Sequence, residues 1–200
     1  MMEDKVKFSE NVLLIDAAFL NEVACNAKEF LGARLGRELP NIDLPAWLSY
    51  LALDAGLRGN DNEIQVLLLH HEDVRKLECC EPSGLDDLNG KACRMPLGEF
   101  LFSCVTPAGM TSCEELYLDL MSLALDSADV KRLMLVPFHP SYGERVEEEL
   151  NKYFNGKSEE ECGRAVYFVM EKPMQPILSR WDFIIYSLAQ AFGIKSDELK

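Results

Sequence analysis

The sequence predicts an α/β fold: a three-layer α/β/α arrangement on a Rossmann-like, mostly parallel sheet of five strands. Three observations lead there. Short apolar runs recur along the chain without polar alternation, as strands buried on both faces require. Segments of helical spacing separate them, so strand and helix alternate five times, the pattern of parallel strands joined by right-handed crossovers. The 200 residues, 48% hydrophobic and 27% charged, suit one globular domain and exclude a disordered, collagen-like or membrane-spanning chain.

The elements follow in order. Residues 10–16 end an apolar run on Asp16 and predict the first strand. Residues 17–38 carry Phe19, Leu20, Val23, Ala27, Phe30, Leu31 and Leu35 at helical spacing, stopped by Gly36 and Pro40. Asp43 as N-cap and Pro45 in the first turn start a second helix, which runs through Trp47, Leu48, Leu51 and Leu53 to about Leu57. Residues 63–70 predict the second strand. Residues 72–97 lack periodicity and read as an irregular insertion with a short helix at 72–78. Residues 98–105 predict a third strand, at an edge. Thr111 or Ser112 caps a helix over 113–127, with Leu116, Leu120, Leu123 and Ala124 facing inward and Glu114 and Glu115 in its first turn. A fourth strand at 132–138 and an acidic helix at 141–154 follow, the run Glu147-Glu148-Glu149 forming a solvated face. Residues 156–200 extend the domain with a strand at 164–170 and a helix at 179–192, Ser179 its N-cap.

The net charge of −14 argues against nucleic acid as a partner, since phosphate affinity comes from clustered Lys and Arg. Lys28, Arg34 and Arg37 form a thin local cluster. No apolar stretch approaches the roughly 20 residues a membrane helix needs, and no signal-peptide core is present, so a soluble, cytoplasmic protein without a membrane partner is expected. Seven cysteines occur, Cys25, Cys79, Cys80, Cys93, Cys104, Cys113 and Cys162, without a CxxC pair. In a reducing compartment Cys25, Cys104 and Cys113 read as small buried hydrophobes. Cys79, Cys80 and Cys93 are the one metal-like grouping, at a poor chelating spacing.

Ligands of open parallel sheets gather at the carboxyl ends of the strands. The first strand ends at Asp16, the second at His70-His71-Glu72-Asp73 and the fourth at Phe138-His139-Pro140-Ser141-Tyr142. Imidazoles and carboxylates together suit a divalent metal or general acid–base work. Polar residues also mark strand ends simply because the chain returns to solvent there. Adjacent His70 and His71 point to opposite faces, so one of them faces any shared site. No GxGxxG, Walker loop or GxSxG elbow occurs. A Cys/His pair from Cys104 or Cys113 with His139 lacks supporting context.

The run Ile15-Asp16-Ala17-Ala18-Phe19-Leu20, the acidic helix Glu114 to Asp126, and Arg132-Leu-Met-Leu-Val-Pro-Phe-His-Pro-Ser-Tyr142 with its following helix resemble the NYN branch of the PIN-like domains over about residues 10–155. The resemblance implies a Rossmann-like three-layer fold and a Mg²⁺-dependent ribonuclease ancestry, with Asp16 as first acid and Glu115 or Asp119 as second. Phe19 stands where the family carries Asn, and Val136 to Pro140 hold no acid where it carries Gly-Asp-Ser-Asp. A two-metal site would lose oxygen ligands.

Three functions follow from these residues. The first is a PIN-like domain without catalysis or cofactor, acting through protein–protein or self-association, with Trp181, Phe183, Tyr186 and Phe192 as the interface. The second is a divalent-metal-dependent phosphodiesterase using Asp16, Asp119 and His139, its Mg or Mn held by Asp16, Glu115, Asp119, His70 and His139. The third is a small-molecule binder at the carboxyl edge of the sheet.

Overall fold

The structure, a computed structural model, describes residues 7–195 and 197–198. In chain order the elements are β1 (Asn11–Asp16), α1 (Ala17–Leu35), β2 (Ile42–Asp43), α2 (Leu44–Asp54), β3 (Asn62–Leu69), β4 (Cys80–Glu81), α3 (Leu85–Leu88), β5 (Ala92–Met95), β6 (Gly98–Val105), α4 (Cys113–Asp126), β7 (Arg132–Val136), α5 (His139–Phe154), α6 (Glu159–Cys162), β8 (Ala165–Val169), β9 (Arg180–Phe183) and α7 (Ile184–Ala191). The fold is a mixed α/β one with a large, mostly parallel sheet flanked by helices.

That sheet has seven strands rather than five, in the order β5-β6-β3-β1-β7-β8-β9. Only the β5–β6 pair is antiparallel. Setting β5 aside, the parallel strands follow the order 3-2-1-4-5-6 familiar from dinucleotide-binding folds. Two strands escape the sequence pattern. β5 is four half-exposed residues held by pairing with β6, which makes β6 interior and not an edge. β9 occupies residues expected to begin the last helix. Trp181 and Phe183 there alternate with Arg180 and Asp182, and the segment pairs with β8, Val166 opposite Arg180 and Val169 opposite Phe183. The helix therefore begins only at Ile184, and Ser179 is a buried residue and not its cap. No helix forms at 72–78; that segment makes a single bridge between Lys76 and Gly84, and β2 pairs with β4 in a small separate sheet.

The central strands are apolar throughout because both faces are covered. In β1, Leu13 and Ile15 join one apolar cluster, shared with Leu20 of α1, Trp47 of α2 and Leu188 of α7. Val12 and Leu14 join a second, shared with Tyr117 and Met121 of α4 and Val146 and Leu150 of α5. Trp47 is fully buried and its indole N–H donates to Ser187 Oγ at 3.1 Å. On α4 the buried stripe is Tyr117, Met121, Ala124 and Leu125, about one position round from the expected face, which leaves Leu123 49% exposed. Glu147 of α5 is buried, not solvated.

Local signals explain most boundaries. Asp43 caps α2 by accepting from Ala46 N, and Ser112 with Glu115 forms a reciprocal capping box on α4. Gly36 ends α1 at φ 65°, the left-handed cap that favours glycine. Gly98 opens β6 where an added Cβ would lie 2.0 Å from the Asn62 carbonyl oxygen, so β6 can approach β3 only with glycine there. Cys25 of α1 is disulfide-bonded to Cys79, with Cα atoms 5.4 Å apart. Cys25 is thus no free buried thiol, and the Cys79, Cys80, Cys93 grouping has lost one donor.

Candidate functional site at the carboxyl edge

The strand order reverses between β1 and β7, so a crevice is expected outside their carboxyl ends. There Asp16 leaves β1 and Phe138-His139 leaves β7. Asp16 is 4% exposed. Its Oδ1 accepts from Ala18 N at 2.9 Å and Phe19 N at 3.2 Å, capping α1. Its Oδ2 accepts the Tyr142 hydroxyl at 2.7 Å. Tyr142 reaches it from a break in α5, where its φ is −135°. The Tyr142 ring lies 5.5 Å from that of Tyr117, whose hydroxyl donates to Leu14 O at 3.0 Å. Burial and the Asp16 charge hold the Tyr142 phenol well above its ordinary pKa, and burial with the neighbouring Tyr142, Tyr167 and Asp16 does the same for Tyr117. Both stay protonated and both serve as donors.

In a dinucleotide-binding fold the N-terminus of the first helix offers its free N–H groups to a phosphate. Here the chain's own carboxylate fills that position. Both Asp16 oxygens are engaged by the protein, which leaves a metal or an anion poorly served.

The other expected ligands do not join it. Glu115 is committed to the capping box through its Oε2. Asp119 is exposed, in a separate groove with Arg145, Glu149 and Lys152. His70 is buried, its Nδ1 2.8 Å from the His71 carbonyl, which places the proton on Nδ1. His139 packs edge-on against Phe19, ring centroids 5.7 Å apart. Its Nδ1 is buried without a hydrogen-bond partner among the described residues. Burial lowers the His139 pKa, and Glu171 only partly opposes this, so the ring is neutral at pH 7. Among the described residues, no three His, Cys, Asp or Glu side chains lie where they could share a metal ion. Asp16, Glu115, Asp119, His70 and His139 are therefore not gathered into a shared ion site. Burial pushes the Cys113 thiol up to about 11, helped by Asp16 and Asp73, and that of Cys104 to about 11, helped by Asp86. Neither suits a nucleophile at neutral pH.

What the crevice does provide is a cleft of about 610 Å³ between α1, α7 and the ends of β7 and β8. Phe19, Val23 and Phe30 of α1, Met170 and Ile185 form its apolar wall, His139 and Asn26 its neutral polar points, and Glu22 and Glu171 its charges. Lys and Arg are absent from this lining. Phe30 was expected to pack inward with the rest of α1 but is 64% exposed at this wall. Among the aromatic residues expected to form an interface, Phe192 is buried in the core, Trp181 and Phe183 are half-buried, and Tyr186 is 59% exposed. Lys28 donates to Asn41 Oδ1 and Arg37 pairs with Glu198, so the thin basic cluster is largely engaged.

Fold and crevice together define an α/β domain with a Rossmann-like sheet whose first helix is capped by its own strand-end carboxylate, Asp16. The chain belongs to DUF6621, a family of unknown function, whose family model matches residues 5–199. No curated protein and no solved structure matches it. Among the described residues no helix is long and apolar enough to cross a membrane.

Proposed function

We propose that this is a non-catalytic binding domain whose switch-point cleft takes a small amphipathic molecule, neutral or cationic, with an aromatic or aliphatic body. The supporting observation is the double engagement of Asp16 beside a 610 Å³ cleft walled by apolar side chains and charged only by Glu22 and Glu171. The size lies within the range of about 300–1,000 Å³ usual for small-molecule sites. On this proposal the NYN/PIN-like resemblance describes ancestry and not activity. The test is thermal unfolding with 2-phenylethylamine against 3-phenylpropionate, matched in size and opposite in charge. The amine should raise the melting temperature saturably, and Glu171→Gln should weaken that response. No response to either compound, or a stronger response to the acid, overturns the proposal.

Self-association is the second reading, favoured by one feature. Trp181, Phe183 and Tyr186 form a contiguous aromatic row, with centroids 5.3 and 6.2 Å apart, on and beside the edge strand β9. Tyr186→Asp changes an exposed residue and leaves the fold intact, so an unchanged elution volume in sizing chromatography would exclude this row as a dimer surface.

A further inference from the structure

At the opposite end of the sheet, where β7, β8 and β9 begin, lies another cavity of about 610 Å³. Lys131 precedes β7 and Arg132 opens it, Arg164 precedes β8, and Arg180 opens β9. The register, Leu133 opposite Ala165 and Val166 opposite Arg180, brings these starts side by side. Four of the 20 basic side chains of a chain with charge −14 thus line one cavity.

The guanidinium groups are held in place without being neutralised. Arg132 donates to the Gly163 carbonyl, Arg164 to that of Leu125, and Arg180 to those of Ala55 and Asp54 at 3.4 Å. A carbonyl orients a guanidinium but leaves its full charge, and each fork has five N–H donors. Among the described residues none of the three forms an ion pair. Arg164 Nε is buried and has no acceptor there. Arg132 is easier to deprotonate than usual, through burial first and then the charge of Arg180. Two acids also line the cavity. Glu161 is held by its own capping box, its Oε2 accepting from Ser158 N at 2.9 Å and Ser158 Oγ at 2.8 Å; Glu160 is exposed on the same short helix. No aromatic side chain is among the lining residues, so nothing there would stack on a base or a ring.

We propose that this amino-edge cavity binds a small phosphate-bearing anion through Arg132, Arg164 and Arg180, with Lys131 at its rim. Guanidinium forks match phosphate oxygens in pairs, and charge-assisted bonds of this kind are the strong ones. The proposal is independent of the carboxyl-edge cleft.

Calorimetric titration with inorganic pyrophosphate, combined with amide NMR, tests it. Saturable binding should move the amides of Val130 and Gly163, and higher KCl should weaken it. Lys131→Gln and Arg132→Gln should each lower the affinity, the latter about tenfold, as expected for one charge-assisted bond. Lys131 is exposed and its ammonium pairs with Glu10, so the Lys131→Gln variant leaves the fold intact, tests the cavity even if the Arg132 variant folds poorly, and should lower the affinity less than Arg132→Gln does. Orthophosphate and glycerol phosphate as further arms distinguish a free from an esterified phosphate by whichever binds more tightly. Absence of saturable binding, amide shifts elsewhere, variants with unchanged affinity, or citrate binding as tightly as pyrophosphate would each overturn the assignment.

Discussion

The two ends of the sheet use their polar groups in opposite ways. At the carboxyl end, where α/β proteins ordinarily bind their ligands, Asp16 is consumed by the backbone of α1 and the hydroxyl of Tyr142. What remains there is an apolar cleft. At the amino end the arginines meet backbone carbonyls, which fix their direction and leave donors and charge over. A side chain that satisfies its partner completely is structure; one that is oriented but unsatisfied is available. The rule that places ligands at carboxyl ends directs attention to the first end and away from the second.

The largest effect expected comes from the Cys25–Cys79 bond, which ties α1 to the segment between β3 and β5. Chain-entropy arguments assign about 4 kcal/mol to a closed loop of this size. Dithiothreitol, or Cys25→Ser with Cys79→Ser, should shift the urea midpoint accordingly, while pyrophosphate binding at the amino edge stays unchanged. Loss of that binding on reduction would mean that the two ends are not independent.

Asp16→Ala comes next, at roughly 2–4 kcal/mol, because it removes a helix cap and leaves a buried hydroxyl unpaired. Asp16→Asn keeps an acceptor and should lose less. A gain in stability from Asp16→Ala would instead mark Asp16 as a functional acid held at a cost, and would reverse the contrast between the ends. Arg180→Ala should cost about 1 kcal/mol, since it frees two partly solvated carbonyls. The double variant should be additive within roughly 0.5 kcal/mol if the ends are separate. A cost for Arg180→Ala matching that of Asp16→Ala would make the arginines bolts and not donors in waiting.

Strands buried on both faces were legible in the sequence, because β1 and β3 must be apolar at every inward position whichever way the chain is read. So were the caps at Asp43 and Ser112, whose partners lie within three residues. Elements decided by distant partners were not legible. Trp181, Phe183, Ile184 and Leu188 fit helical spacing, and only pairing with β8 turns Arg180–Phe183 into a strand. Tyr117 was missed as a core residue because its hydroxyl masks a buried ring. Asp16 was found at its correct place, but its role depends on Tyr142, 126 residues away. Arg132, Arg164 and Arg180 stand in three separate segments, and nothing short of the strand register brings them together. The Cys25–Cys79 pair, 54 residues apart, is equally silent in spacing.

The smallest effect is a pH dependence at the carboxyl end, and it examines whether that end is as closed as its hydrogen bonds imply. His139 has its pKa lowered in the folded state by burial, against the pull of Glu171 in the same cleft. The unfolded chain, with an ordinary value near 6.5, therefore binds the proton more readily. Stability from this residue is fully present above that value and is lost as pH falls through it toward the folded value. Asp54 and Glu147, whose carboxyls burial holds above their ordinary values, act in the opposite sense, so the test is the comparison with His139→Asn: relative to wild type, the variant should gain unfolding temperature at pH 5.5 compared with pH 7.5. A His139→Asn variant with an unaltered pH profile would show the ring to be solvated and the cleft open down to its Nδ1. A 2-phenylethylamine-bound protein should instead shelter the ring further, so the ligand and the proton would compete for the same cleft.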